Sequence, residues 1–277
     1  EAGSISVVAP QNWLFLTSYK KLRKNLLNRQ SWNLLGRLGP NAFETISGEV
    51  VNVSLYTITH AHPQESHTLR GVDALDGDDH VEKEHLLTES EVVGLPQHDQ
   101  LDNPDSRILL VDLGSQSLLE DLSHSVHGLT TGDLPRMEQK FWEFDTIPSQ
   151  WDQMQSSVNE TMHYGGRESL LRWNNESGPI NKLPGARKDG APAWGERGVL
   201  IRQMGNLYAN IYTGHFFDNN NAAIIPQNPD HLPAIWAFCS SPEYSKAVRR
   251  IDQKMNVTNA TLAKVPFDLD HWQQVAD

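Results

Sequence analysis

A single cysteine, Cys239, stands among 277 residues, which excludes an internal disulfide framework and a multi-thiolate metal site. No apolar run approaches the roughly 20 residues of a membrane span, and mean hydropathy is −0.51. The opening EAGSISVVAP has neither a basic n-region nor a long apolar h-region, so it does not read as a signal peptide. The sequons at Asn52, Asn159, Asn175, Asn256 and Asn259 therefore need no secretory reading, and a cytoplasmic protein without a membrane partner is expected.

Several catalytic motifs are missing as well. There is no GxSxG, and HVEKEH (80–85) has the wrong spacing for HExxH. Pro104-Asp105 and Pro229-Asp230 lack the downstream (D/E)xK of a nuclease, since Glu243 and Lys246 are one residue too far apart. No glycine-rich strand-to-helix turn is present to bind S-adenosylmethionine or a dinucleotide. Nor is there an Asn/Asp-Pro-Pro-Tyr/Phe tetrapeptide, whose side-chain oxygen and backbone carbonyl accept hydrogen bonds from the exocyclic amine of a base. No catalytic residue is assigned in this chain.

What is present begins with α/β alternation. An apolar run at 5–8 is followed by an amphipathic stretch from Ser18 to Asn28, with apolar positions at Tyr19, Leu22, Leu26 and Leu27. Thr17 or Ser18 is the candidate N-cap, and Lys20, Lys21, Arg23 and Lys24 fall mainly off the apolar stripe. Apolar pieces at 32–38 and 50–58 then predict two further strands, the second buried on both faces. The first sixty residues read as the second half of a domain whose first half lies upstream. Such a half sheet carries an unpaired strand edge, and aggregation or dimerisation in isolation is expected.

Charge divides the chain unevenly. Residues 61–150 hold 5 Lys+Arg against 19 Asp+Glu, whereas 1–60 hold 6 against 3 and 151–277 hold 12 against 13. The net −12 is thus a property of the middle. Within Arg167 to Arg202, seven cations face four acids beside Trp173 and Trp194, an interleaving suited to nucleic acid.

From His60 to about Asp105 the pattern decays into polar, acidic, histidine-rich sequence, read as a long excursion carrying one or two short helices, one of them at 81–87. Its histidines and the acids Asp73, Asp76, Asp78 and Asp79 lack metal-ligand spacing and are read as solvated. Regular structure resumes at 109–126, helical from Ser117, and GLTTGD (128–133) is a turn-rich break. Strands are expected at 198–201 and 222–225, and helices at 232–238 and 242–255, with Cys239 as a packed thiol. The boundaries drawn are 1–60, 61–124 and 125–277.

The strings APQNWLFLTSYKKLRKNLL, LGRLGPNAF and GEVVNVSLYTI resemble the C-terminal half of the catalytic domain of adenine-N6 DNA methyltransferases. The likeness is to the large single-chain Eco57I-like type IIG restriction–modification and BREX phage-defence families. It continues in order through NPDSRI (103–108), GLTTGD, FWEF (141–144), YGGRE (164–168), WGERGVLIRQM (194–204) and the run from PAIWAFCSSPEY to NVTNATLAKVPFDLDHW.

The resemblance implies an α/β chain: the C-terminal part of a Rossmann-like methyltransferase sheet, an acidic connecting region, and a mixed α+β target-recognition domain. It implies S-adenosylmethionine as cofactor of the parent enzyme, with none bound by this chain alone. It implies double-stranded DNA, the upstream half of the methyltransferase and other defence-system proteins as partners. Trp13, Phe15, Tyr56 and Thr57 become candidates for the cleft wall or for stacking on an extruded base. Arg167, Arg172, Arg187, Lys188, Arg197 and Arg202 become candidates for holding DNA, and Gln203 and Asn206 for reading bases. The alternative is a non-enzymatic DNA-binding specificity module or a protein-interaction scaffold of a phage-defence complex.

Overall fold

The computed structural model describes residues 3–44, 51–110, 117–173, 178–252 and 254–277, and of Asn181 the backbone only. The chain divides into two compact units, Glu1–Gly114 and Ser115–Asp277.

The first unit is built on a five-stranded mixed sheet. Its strands are β1 (Ser4–Pro10), β2 (Ser31–Gly39), β3 (Val53–Thr59), β4 (Thr68–Asp73) and β5 (Val93–Pro96), in the order β1-β3-β2-β4-β5. β3 runs antiparallel to both β1 and β2, β4 parallel to β2, and β5 antiparallel to β4. Helix α1 (Lys20–Arg29) follows β1 and helix α2 (His80–Glu89) follows β4. The core gathers Leu14, Phe15, Leu27, Trp32, Leu35, Leu69, Ile108 and Leu110.

The expected alternation of strand, helix and two strands is there, with three corrections. Tyr19, not Thr17 or Ser18, caps α1, and it makes no side-chain cap bond; the Thr17 hydroxyl instead donates to Asp105. Arg23, expected off the buried stripe, is fully buried, while Tyr19 and Leu22 are exposed. In β3 only Val53 and Ser54 are buried, so it is a half-buried strand; expected residue 50 lies outside the described residues.

The acidic stretch also folds differently from the expectation of a separate excursion. It contributes two strands to the same sheet, and its polar side chains fix the neighbouring chain. Gln97 is buried, accepts from Trp32 N at 2.7 Å and donates to Leu27 O and Gln30 O at 2.7 and 2.8 Å. His67 Nε2 meets Trp32 O at 2.8 Å. Burying a polar amide is tolerated because each of these groups has a partner. α2 matches its expected position and is N-capped by Asp79, which accepts from the Val81 and Glu82 amides.

The second unit carries two four-stranded sheets. One has the order β11-β10-β13-β6, from β6 (Ser123–His127), β10 (Gly198–Arg202), β11 (Ala209–Tyr212) and β13 (Asn221–Pro226), all antiparallel. The other has the order β12-β8-β9-β7, from β7 (Glu138–Lys140), β8 (Trp151–Gln155), β9 (Ser169–Arg172) and β12 (Phe216–Phe217). The helix expected from Ser117 is a single turn, α3 (Leu119–Leu122), and β6 follows it directly. Residues 111–116 of that expectation lie outside the described residues.

A further short turn of helix, α4 (Leu134–Met137), leads into β7, and four helices close the chain. These are α5 (Leu232–Cys239), α6 (Pro242–Ile251), α7 (Asn259–Ala263) and α8 (Leu269–Ala276). In α6, Ser241 caps the Tyr244 amide and Pro242 occupies the first turn, where its missing N–H costs nothing. The buried face Tyr244, Val248 and Ile251 is the one the spacing predicts. Phe238 of α5 meets Tyr244, Phe267 and Trp272 with ring centroids 5.1–5.3 Å apart. Cys239 is buried, and burial pushes its thiol far up, leaving it an inert packing group. Among the described residues no helix is long and apolar enough to cross a membrane.

Candidate nucleic-acid interface

Two assemblies, one in each unit, each bring together two of the expected residues: Trp13 with Tyr56, and Arg187 with Lys188. In the first unit, β1 ends at Pro10 and turns through residues 11–14, carrying Trp13 over β2 and β3. Strand register sets Tyr56 opposite Val7 on one side and Leu35 on the other. Trp13, Trp32 and Tyr56 form a triangle, with centroids 5.4 Å (Trp13–Trp32), 5.1 Å (Trp13–Tyr56) and 5.9 Å (Trp32–Tyr56) apart. Trp32 is the buried base of this group, and its indole N–H has no hydrogen-bond partner. Trp13 and Tyr56 are half-buried, and burial holds the Tyr56 phenol above its usual range.

The other two cleft candidates separate from this pair. Phe15 is buried in the core. Thr57 falls on the opposite face of β3, because successive strand residues alternate, and its hydroxyl pairs with Ser6 across the strands at 2.8 Å. Trp32 was missed by sequence reasoning, since it reads as an ordinary apolar strand residue.

In the second unit, the break at 128–133 and the turn at 183–190 are bound together. Thr130 and Arg187 exchange both backbone hydrogen bonds, at 2.9 and 2.8 Å. Gly132 permits this approach, because at φ +77° a Cβ there would lie 2.8 Å from the Pro184 carbonyl oxygen. A cavity of about 280 Å³ results, lined by Leu129, Thr130, Trp173, Ile180, Ala186, Arg187 and Lys188. The Lys188 ammonium stands 5.0 Å from the Trp173 ring centroid, a cation–π distance. Arg187 donates to the Thr130 hydroxyl at 3.4 Å and pairs with Asp189 at 3.4 Å, and it remains 61% exposed. Trp173 itself is braced by Trp194 and Phe216. The site therefore has two exposed cations, one of them, Lys188, over the Trp173 ring.

The remaining cations are dispersed. Arg172 and Arg197 are exposed, and Arg202 is half-buried and donates to Asn159 at 3.4 Å. Arg167 is spent largely on the fold: it donates to the Thr213 hydroxyl at 2.7 Å and the Ile211 carbonyl at 2.9 Å, and burial lowers its pKa. Gln203 corrects the expectation of a base reader. It is 4% exposed, its amide donates to Val257 O at 2.8 Å, and its oxygen meets His127 Nδ1 at 3.1 Å. Asn206 is exposed and donates to the Tyr208 hydroxyl at 2.7 Å.

The chain is 26% identical over 287 residues to the adenine-specific methyltransferase BrxX of Escherichia coli O9:H4 (strain HS). The match covers 96% of this chain and 24% of that protein, so the chain spans about a quarter of the curated relative's length. Among solved structures it resembles the Type IIL restriction–modification enzyme MmeI, determined in complex with DNA, with a TM-score of 0.52. That match has 10% sequence identity and covers 93% of this chain and 37% of the other, so it is a likeness of fold. No protein-family profile matches the chain. The likeness to adenine-specific methyltransferases of restriction–modification and BREX type, expected from the residue strings, is what these relatives show. The α/β architecture with mixed sheets is shared with the restriction–modification enzyme.

Proposed function

We propose that this chain is a segment of a site-specific adenine-N6 DNA methyltransferase of a restriction–modification or phage-defence system, working in the cytoplasm on double-stranded DNA. The observation that carries this reading is the likeness to an adenine-specific methyltransferase, which runs through both units rather than one. On this reading the first unit supplies a wall of the active-site cleft, with Trp13 and Tyr56 presented toward an extruded adenine. The second unit holds and reads the duplex, with Arg187 and Lys188 as its best-built phosphate contacts. β1 supports the assignment: among the described residues it is an edge strand, the position from which a sheet pairs onward.

S-adenosylmethionine is the methyl donor on this reading, and the described residues do not fit it. In the turn between β4 and α2, the buried Lys83 donates to Ala74 O and Gly77 O at 3.3 and 2.6 Å and fills the space itself. In the turn after β1, Pro10 leads straight into the 3-10 turn Gln11–Leu14, with no glycine to open a cradle. The donor is assigned to the rest of the parent enzyme, and this chain contributes base positioning and DNA grip.

The test is binding of the chain to random duplex DNA across a salt series. A linear fall of log affinity with log salt, with a slope of several phosphates, is expected. Lys188→Gln should reduce that slope by about one. Absence of binding at low salt would sink the recognition role. Methyl transfer by this chain without added protein would sink the segment reading.

A further inference from the structure

Tyr164 is 75% exposed, an unusual position for an aromatic side chain, and the chain around it is built to keep it there. The turn 164–168 lies against the segment 156–162. Ser156 N donates to Gly166 O at 2.6 Å, and Asn210 donates to Gly165 O at 2.9 Å. Gly166 has φ +66°, and a Cβ there would lie 2.1 Å from the Ser156 carbonyl oxygen, so no other residue fits. The Arg167 guanidinium, tied to Thr213 and Ile211, stands 4.4 Å from the Tyr164 ring centroid. One face of the tyrosine is thereby backed by a fixed cation, and the ring is held out beside an open hollow of about 670 Å³. The hollow is also lined by Asn159, Glu160 and Glu168, all exposed.

We infer that this hollow is a reading site for a single unstacked nucleobase, which stacks on the open face of Tyr164 and presents an amine-bearing edge to Asn159 and Glu160. The inference rests on the reading of the second unit as a DNA-recognition unit. The two glutamates disfavour a phosphate in the hollow itself, so the entering group is a base, not a backbone unit. A carboxylate accepts from the N4 amine of cytosine, and an asparagine amide matches the donor and acceptor of adenine. Thymine offers no such amine. Stacking on an exposed aromatic accepts any base, so Tyr164 supplies affinity while Asn159 and Glu160 supply the choice.

The test is fluorescence anisotropy of dA12, dC12, dT12 and random duplex with the whole chain. Wild type is expected to bind dA12 or dC12 roughly tenfold more tightly than dT12. Tyr164→Leu should weaken all three single strands by roughly tenfold, and Tyr164→Phe should retain them. The double change Asn159→Ala and Glu160→Gln should erase the preference over dT12. Circular dichroism and the thermal midpoint verify that each variant folds. Equal affinity of wild type for the three homopolymers overturns the inference, as does an unchanged affinity in Tyr164→Leu. Duplex binding without homopolymer binding overturns this site and leaves the DNA-recognition reading standing. Homopolymer binding without duplex binding leaves this site standing and overturns the assignment of Arg187 and Lys188 as a duplex grip.

Discussion

The Arg23 guanidinium donates to the Trp13 carbonyl at 2.7 Å, and with its other N–H groups it reaches Leu16 O, Asp105 O and Ser106 O at 2.7, 2.9 and 3.0 Å. Asp105 and Ser106 both take positive φ, 57° and 50°, and the arginine binds the carbonyls of this strained pair. Burial lowers the Arg23 pKa to about 10, which leaves it charged at neutral pH. Arg23→Met would strip the donors from four carbonyls at once. A loss of about 3 kcal/mol is expected in urea unfolding. Tryptophan emission should also shift in native conditions, because Trp13 loses its backbone anchor. An unchanged unfolding midpoint would show the brace to be dispensable.

The exposed edge of β1 predicts self-association. Sedimentation velocity should show an apparent mass that rises with protein concentration. The pair Ile5→Lys and Val8→Lys, both exposed positions, should suppress that rise without lowering the thermal midpoint. A wild-type chain that stays monomeric at every concentration would contradict the edge argument.

Gln203 separates fold from recognition. Its amide is committed to Val257 and its oxygen to His127, so Gln203→Ala should cost about 1–2 kcal/mol of stability. DNA affinity and sequence preference of the folded variant should be unaltered. A changed preference with unchanged stability would return this residue to the base-reading set.

His215 predicts the acid response. Burial, and then the nearby Arg167 charge, hold its imidazole below the ordinary 6.5. In the unfolded chain the ring protonates near that ordinary value, whereas the folded chain resists protonation. Its contribution to stability is therefore complete above pH 6.5 and is lost as pH falls through the lowered folded value. The urea midpoint should fall between pH 7.5 and pH 5.5, and His215→Asn should shrink that fall. An identical pH profile in the variant would assign the fall to other groups.

Much of the local architecture was legible in the residues. Apolar runs marked β1, β2, β10 and β13, helical spacing marked α1 and α6, and the ordered strings pointed to the methyltransferase likeness. Each of these is a property of a few consecutive side chains, and periodicity reports it directly. The placement of Cys239 in a packed helix was legible for the same reason.

What the tertiary structure alone decided concerns polar groups and their distant partners. Arg23 looked like a surface cation and is buried, because four carbonyls, two of them more than eighty residues away, receive its protons. Gln203 looked able to read a base and is consumed by partners 54 and 76 positions away. The acidic stretch looked like an excursion, yet it adds β4 and β5 to the first sheet and lends Gln97 and His67 to hold Trp32. A run of sequence determines how strongly each segment favours strand, helix or turn. Whether a charged or amide side chain is inside depends on whether some remote segment satisfies its hydrogen bonds, and only the folded chain supplies that partner.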